Sequence, residues 1–194
     1  MDLPMLSSTA RTFIGALIFI ISFLPASPAL SAEGGRGVLE IQIKDHREAI
    51  GDFANLVLKF DKLRISPEPR LFVRKVGWQD LTPSPDAVDL TQYVGKKTAR
   101  IFRGELDAGS FDALDLRIKK IDSQLKKTRR PAAVKNTLGP VKIAFHVPAN
   151  GETLLVIDLV VTDLSDHPPR GYELGINGYE LYTNGKLIEK IPPG

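Results

Sequence analysis

Beyond residue 36, apolar and polar positions alternate with a period of two along most of the chain, and no window of a dozen residues carries a sustained helical period. From Gly37 to Asp45, Leu39, Ile41 and Ile43 alternate with Glu40, Gln42 and Lys44, as in a half-buried strand. His46 to Asp52 reads as a polar loop. Leu56, Leu58 and Phe60 alternate next, and the phase then slips to Leu63 and Ile65. A bulge near Asp61 and Lys62 would absorb the slip, and Pro67 and Pro69 end the strand. Leu71 to Leu81 is a further strand candidate, holding Trp78, the only tryptophan, which is expected in the core. Val88 to Leu90 form a short strand, and Thr91 to Lys97 a turn or one helical turn.

Ala99 to Ile118 reads as two strands joined by a turn at Asp107, Ala108, Gly109 and Ser110. In its second half Leu114, Leu116 and Ile118 point to a core while Ala113, Asp115 and Arg117 point to water. Val141, Ile143, Phe145 and Val147 alternate in the next strand. Pro148 to Glu152 then reads as a hairpin turn with Asn150-Gly151 as its positive-φ dipeptide. Thr153 to Thr162 is apolar on both faces, which suits a central strand covered on both sides. Asn177-Gly178 and Asn184-Gly185 are two more turn dipeptides, delimiting Tyr179 to Thr183 as one leg of a closing meander. Strands with turn signals every eight to twelve residues predict an all-β fold, a single antiparallel sandwich over residues 37–194.

The first 32 of the 194 residues do not fit that alternation. Arg11 precedes an uncharged apolar run, Phe13 to Leu24, followed by Pro25 and a small-residue stretch to Ala32. This is the layout of a cleaved signal peptide, with cleavage expected after Ser31 or Ala32. The run is shorter than the ~20 apolar residues a membrane-spanning helix needs. Residues 33–36 serve as a linker. The chain has no Cys, which removes disulfides, thiol chemistry and a lipid-modified anchor. A periplasmic or secreted location follows as an expectation.

Four stretches occur in a familiar order: GVLEIQIKD at 37–45, VDL at 88–90, LDAGSFDALDLRI at 106–118 and VPANGETLLVIDL at 147–159. Together they resemble the bacterial exported domain of unknown function 4382. The clearest motif is an acid, Ala, Gly, any residue and an aromatic, then alternating Leu: here Asp107, Ala108, Gly109, Ser110, Phe111, Leu114 and Leu116. The resemblance implies a Greek-key sandwich of transthyretin-like or immunoglobulin-like type, with no established activity and no catalytic residues. Its members are mostly exported or lipid-anchored. This chain departs from the pattern in lacking a lipobox Cys, in an inserted basic segment, and over its last thirty residues.

Candidate chemistry is sparse. The three histidines, His46, His146 and His167, have no short ligand spacing between them, and Asp158, Asp163, Asp166 and His167 form the best acid cluster. That cluster lacks the EF-hand pattern and reads as a polar loop closing a strand. No Gly-x-Ser-x-Gly elbow occurs, Gly109-Ser110 lies at a turn, and the glycines at 34–37 lack the Lys-Ser/Thr of a phosphate loop. No catalytic residue, metal or cofactor is assigned. Charge is more informative: Lys119, Lys120, Lys126, Lys127, Arg129, Arg130 and Lys135 fall within seventeen residues against one acid, Asp122. Such a segment attracts polyanions such as lipopolysaccharide, teichoic acid or anionic lipid, and the expected partner is an anionic envelope polymer or another envelope protein. Nucleic acid is disfavoured, since no aromatic platform interleaves with the charge. The bland alternative is a solvated hairpin whose charge protects an edge strand. The expected function is therefore a non-catalytic, envelope-associated binding or assembly module. A glycan or small-ligand carrier using Tyr172, Tyr179 and Tyr182 is the first alternative, and an uncharacterised enzyme the second.

Overall fold

A computed structural model describes residues 34–69, 77–166 and 171–191. The expected signal peptide, the Leu71–Val76 part of one expected strand, and His167 lie outside the described residues. The elements are β1 (Arg36–Asp45), a 3-10 turn (Ala49–Asp52), β2 (Phe53–Pro67), β3 (Gln79–Leu81), β4 (Ala87–Asp89) and a second 3-10 turn (Leu90–Gln92). They continue with β5 (Ala99–Asp107), β6 (Gly109–Leu125), β7 (Val134–Asn136), β8 (Val141–Val147), β9 (Glu152–Asp163), β10 (Tyr172–Thr183) and β11 (Lys186–Ile191). The structure is mostly β, as the alternation requires. The segment after β1 is more than a loop, because its 3-10 turn buries Ile50.

The strands form two sheets. One runs β11-β10-β9-β1-β5, with β7 also on β10; the other runs β3-β2-β6-β8, with β4 also on β2. The inward residues of both meet in one core: Leu39, Ile41, Ile43, Leu155 and Ile157 from the first sheet, and Leu56, Leu58, Leu63, Leu114 and Ile143 from the second. Each Leu or Ile buried there contributes ~1.5–3 kcal/mol. The phase slip in β2 is a bulge, since pairing with β6 passes from Phe60 to Lys62 and leaves Asp61 over. β9 is central, between β1 and β10, with one face in the core and the other partly exposed.

Several local expectations are corrected. The pairing is not purely antiparallel, because β1 runs parallel to β9 and β7 parallel to β10. β5 and β6 are not a hairpin: β5 pairs with β1 in one sheet, while β6 pairs with β2 and β8 in the other. Pro148 to Glu152 is likewise a crossing from β8 in one sheet to β9 in the other. A turn dipeptide reports that the chain reverses; whether the returning strand lands beside its predecessor or in the facing layer is decided by which apolar face it must bury. At the second crossing Asn150 takes φ 57° and Gly151 does not take a positive φ. Gly109 also lacks a positive φ, and an added Cβ would meet nothing there. Asn177-Gly178 is a bulge inside β10, whereas Asn184-Gly185, with φ 50° and 75°, is a true hairpin turn between β10 and β11. Trp78 is 38% exposed rather than in the core, and Asp115, expected in water, is 2% exposed.

Gly37 shows why the crossing turns constrain the sequence. A Cβ there would sit 2.2 Å from the Pro148 carbonyl oxygen and 2.8 Å from Val147 Cγ1. The β8–β9 crossing lies against the start of β1, and a backbone carbonyl cannot step aside as a flexible side chain would. Gly37→Ala is therefore expected to destabilise the fold by about 1–3 kcal/mol, the usual range for overpacking, read as a lower urea midpoint. An unchanged midpoint would show that the turn yields freely.

Candidate functional site

The basic segment occupies three structural settings rather than one hairpin. Lys119 and Lys120 lie near the far end of β6, Lys126 to Arg130 form a turn, and Lys135 belongs to β7 in the other sheet. β8 pairs with β6 only as far as Leu114, so the later half of β6 pairs with β2 alone and presents an edge. The cations at 119 and 120 thus stand on an edge, consistent with charge that opposes strand addition.

All seven cationic residues are exposed, but their surroundings differ. Lys120 Nζ lies 2.6 Å from Asp122 Oδ1, and Lys59 Nζ lies 3.0 Å from Asp122 Oδ2. The hydrogen bonds from Lys120 and Lys59 hold the Asp122 carboxyl below its usual range. Lys135 Nζ lies 2.7 Å from Glu173 Oε1, across the β7–β10 pairing that sets the two residues opposite each other. Lys119 lines a shallow groove with Arg117, Asp61 and Asn136. Lys126, Lys127, Arg129 and Arg130 have no acid within ion-pair distance among the described residues.

Those four cations sit on a turn fixed by backbone bonds. The Lys126 N–H donates to the Asp52 carbonyl at 2.7 Å, the Leu125 N–H to the Arg130 carbonyl at 2.9 Å, and the Arg129 N–H to the Leu125 carbonyl at 2.9 Å. The Gln124 side-chain amide donates to the Arg129 carbonyl at 2.9 Å, and Ser123 Oγ donates to the Ala132 carbonyl at 2.7 Å. Arg129 takes φ 56° to close the turn. Four cations uncompensated among the described residues, on a held backbone, form an anion-attracting tip with long side chains free to follow a ligand.

The other candidates are dispersed. Asp158 and Asp163 both lie on β9, but Asp163 Oδ1 accepts the Ser165 N–H at 2.9 Å while Asp158 turns to His46 and Asn177. No three His, Asp or Glu side chains among the described residues come close enough together to hold a metal. Ser110 lies in β6, cross-strand from His146, with its Oγ 3.3 Å from His146 Nδ1. No carboxylate orients that imidazole among the described side-chain hydrogen bonds. The hydroxyls of the three candidate tyrosines each donate to a carboxylate: Tyr172 to Asp52 at 3.1 Å, Tyr179 to Glu189 at 2.8 Å and Tyr182 to Glu180 at 2.7 Å. Burial, then the bond to the acid, pushes Tyr172 and Tyr179 up to about 12. Tyr179 and Tyr182, three residues apart on one strand, face opposite sides and make no common sugar platform.

Two clusters escaped the sequence reading. Arg64 on β2 holds Asp115 on β6 through Nε at 3.1 Å and through a second guanidinium nitrogen, and it also lies 4.9 Å from the Trp78 ring centre. At the end of β1, Asp45 is fully buried, its Oδ1 accepting the Arg47 N–H at 2.7 Å and its Oδ2 without a partner among the described residues. Asp45 was legible in the inward phase of Leu39, Ile41 and Ile43. The Arg64–Asp115 pair had no signal, since it depends on the β2–β6 register.

Neither a curated protein nor a solved structure matches this chain. The family model described as Domain of unknown function (DUF4382) matches residues 36–174, from the first residue of β1 to Leu174 in β10. That span takes in both crossing turns and the basic tip, and it stops before the closing hairpin. The chain belongs to the DUF4382 family.

Proposed function

We propose that this chain is an exported, non-catalytic β-sandwich that binds anionic polymers of the cell envelope through the turn at Lys126, Lys127, Arg129 and Arg130. The observation that carries the reading is four cations without acid partners among the described residues, on a turn whose backbone is held by β6 and by the Asp52 carbonyl. The remaining three cations serve the fold: Lys120 and Lys135 are locally neutralised, and Lys119 stands on the edge of β6. Export rests on the expected signal peptide, and the sandwich on two sheets that share one core.

Binding of the purified chain to vesicles carrying anionic headgroups, and to lipopolysaccharide, tests the reading. With each cation near an anionic surface contributing ~1 kcal/mol, changing all four to Ser should weaken binding by at least a hundredfold. Raising salt past the ~0.1 M at which the screening length falls to ~10 Å should weaken the parent chain steeply. Equal binding by the parent and the four-Ser variant would overturn the assignment. So would saturable, salt-insensitive binding to neutral glycans.

A further inference from the structure

The two sheets end unequally on one side of the molecule. Among the described residues β11 pairs with β10 alone, and its six residues are all exposed, including Leu187, Ile188 and Ile191, with Ile188 at 55%. β8, the last strand of the facing sheet, also has an outer edge that no strand pairs among the described residues. Between them lies an open groove of about 390 Å³, lined by Phe111, Ala144, Phe145, Leu181 and Ile188, with Ser110 and His146 at its rim. One sheet thus overhangs the other, leaving an apolar step beside two open edges. Isolated exposed apolar residues need no explanation, but a cluster on an open strand edge does.

We infer that this step is a self-association surface, occupied by the same step of a second copy of the chain. Strand directions support it. The crossing at Pro148 to Glu152 reverses β8 into β9; β9 is antiparallel to β10, and β10 to β11. β11 therefore runs opposite to β8. A two-fold axis along the strands exchanges the two layers and preserves direction. It brings β11 of each copy beside β8 of the other, antiparallel, and continues both sheets across the contact. Ile188 and Ile191 of one copy then cover the same residues of the other. A single foreign strand added to β8 would leave the edge of β11 open, whereas the two-fold arrangement closes both edges at once.

Sedimentation of the purified chain over a concentration series is the test. A reversible dimer is expected, and Ile188→Asp should raise its dissociation constant at least tenfold while circular dichroism stays unchanged, since Ile188 is exposed in the single copy. The natural absence of cysteine allows a second readout. Single-cysteine variants Ala144→Cys and Leu187→Cys, mixed and oxidised, should cross-link to each other more readily than either does to itself. A monomer throughout the series would overturn the inference. So would a dimer indifferent to Ile188→Asp, or one in which Leu187→Cys cross-links only to itself.

Discussion

Replacing Arg64 with Met is expected to destabilise the fold by about 3–5 kcal/mol, as when one member of a buried ion pair is removed. Asp115 is 2% exposed, and Arg64 is its close partner; Arg117 Nε, at 3.9 Å, is too far and too exposed to replace it. The variant leaves a carboxylate in a dry site with its strongest donor gone. The effect should be asymmetric. Asp115→Ala is expected to lower stability less than Arg64→Met, because the remaining guanidinium is partly exposed and can extend to water. The double variant Arg64→Met with Asp115→Val should recover at least half the loss, since two apolar groups on facing strands pack without a desolvated charge. Urea denaturation gives the free energies, and Trp78 emission reports the site, because Arg64 lies against that ring. A loss below 1 kcal/mol for Arg64→Met would mean that water reaches Asp115 and that the pair is not needed.

Asp45→Asn is expected to stabilise the protein at pH 7, by about 3 kcal/mol. Burial is the first cause lifting the Asp45 carboxyl to about 6, with the nearby Asp158 and Glu48 acting the same way and the Arg47 N–H and His46 opposing. An acid whose folded value lies above its unfolded value favours the native state in its protonated form. Its penalty is absent below about pH 4, grows between about 4 and 6, and persists above. A rise of roughly two units corresponds to ~3 kcal/mol. Asn keeps an oxygen for the Arg47 N–H and places no charge at the Oδ2 position, which has no hydrogen-bond partner among the described residues. Other acids act in a different window. Burial raises Glu180, but hydrogen bonds from Tyr182, Lys190 and Lys44 together outweigh it and hold the carboxyl at about 2, so its stabilisation is lost as pH falls below about 4.5. The difference between parent and Asp45→Asn should thus open between pH 4 and 6. Parallel stability–pH curves for the two proteins would rule the account out.

Asp45 and Asp115 also show how much of this molecule can be read from its residues. The inward phase of β1 carries Leu39, Ile41, Ile43 and Asp45 alike, so burial of Asp45 follows from a period of two, and so does the bulge at Asp61. The phase of β6 places Asp115 outward, yet it is buried, because Arg64 lies over it from the neighbouring strand. The basic segment was legible as charge. Its division into an edge, an open turn and a neutralised β7 was not, since Lys59 and Glu173 reach it only through pairing partners remote in sequence.

The sequence by itself determined an all-β chain, the strand phases, the bulge in β2, the central place of β9 and the hairpin at Asn184-Gly185, because each follows from side-chain alternation or from the backbone preferences of a few adjacent residues. Tertiary structure alone decided that Asp107 to Ser110 and Pro148 to Glu152 carry the chain between sheets, that β1 lies parallel to β9, and that β11 stands out past β8. Those outcomes depend on how two apolar faces cover one another across a shared core, and a local pattern specifies which face is apolar without specifying what will lie against it.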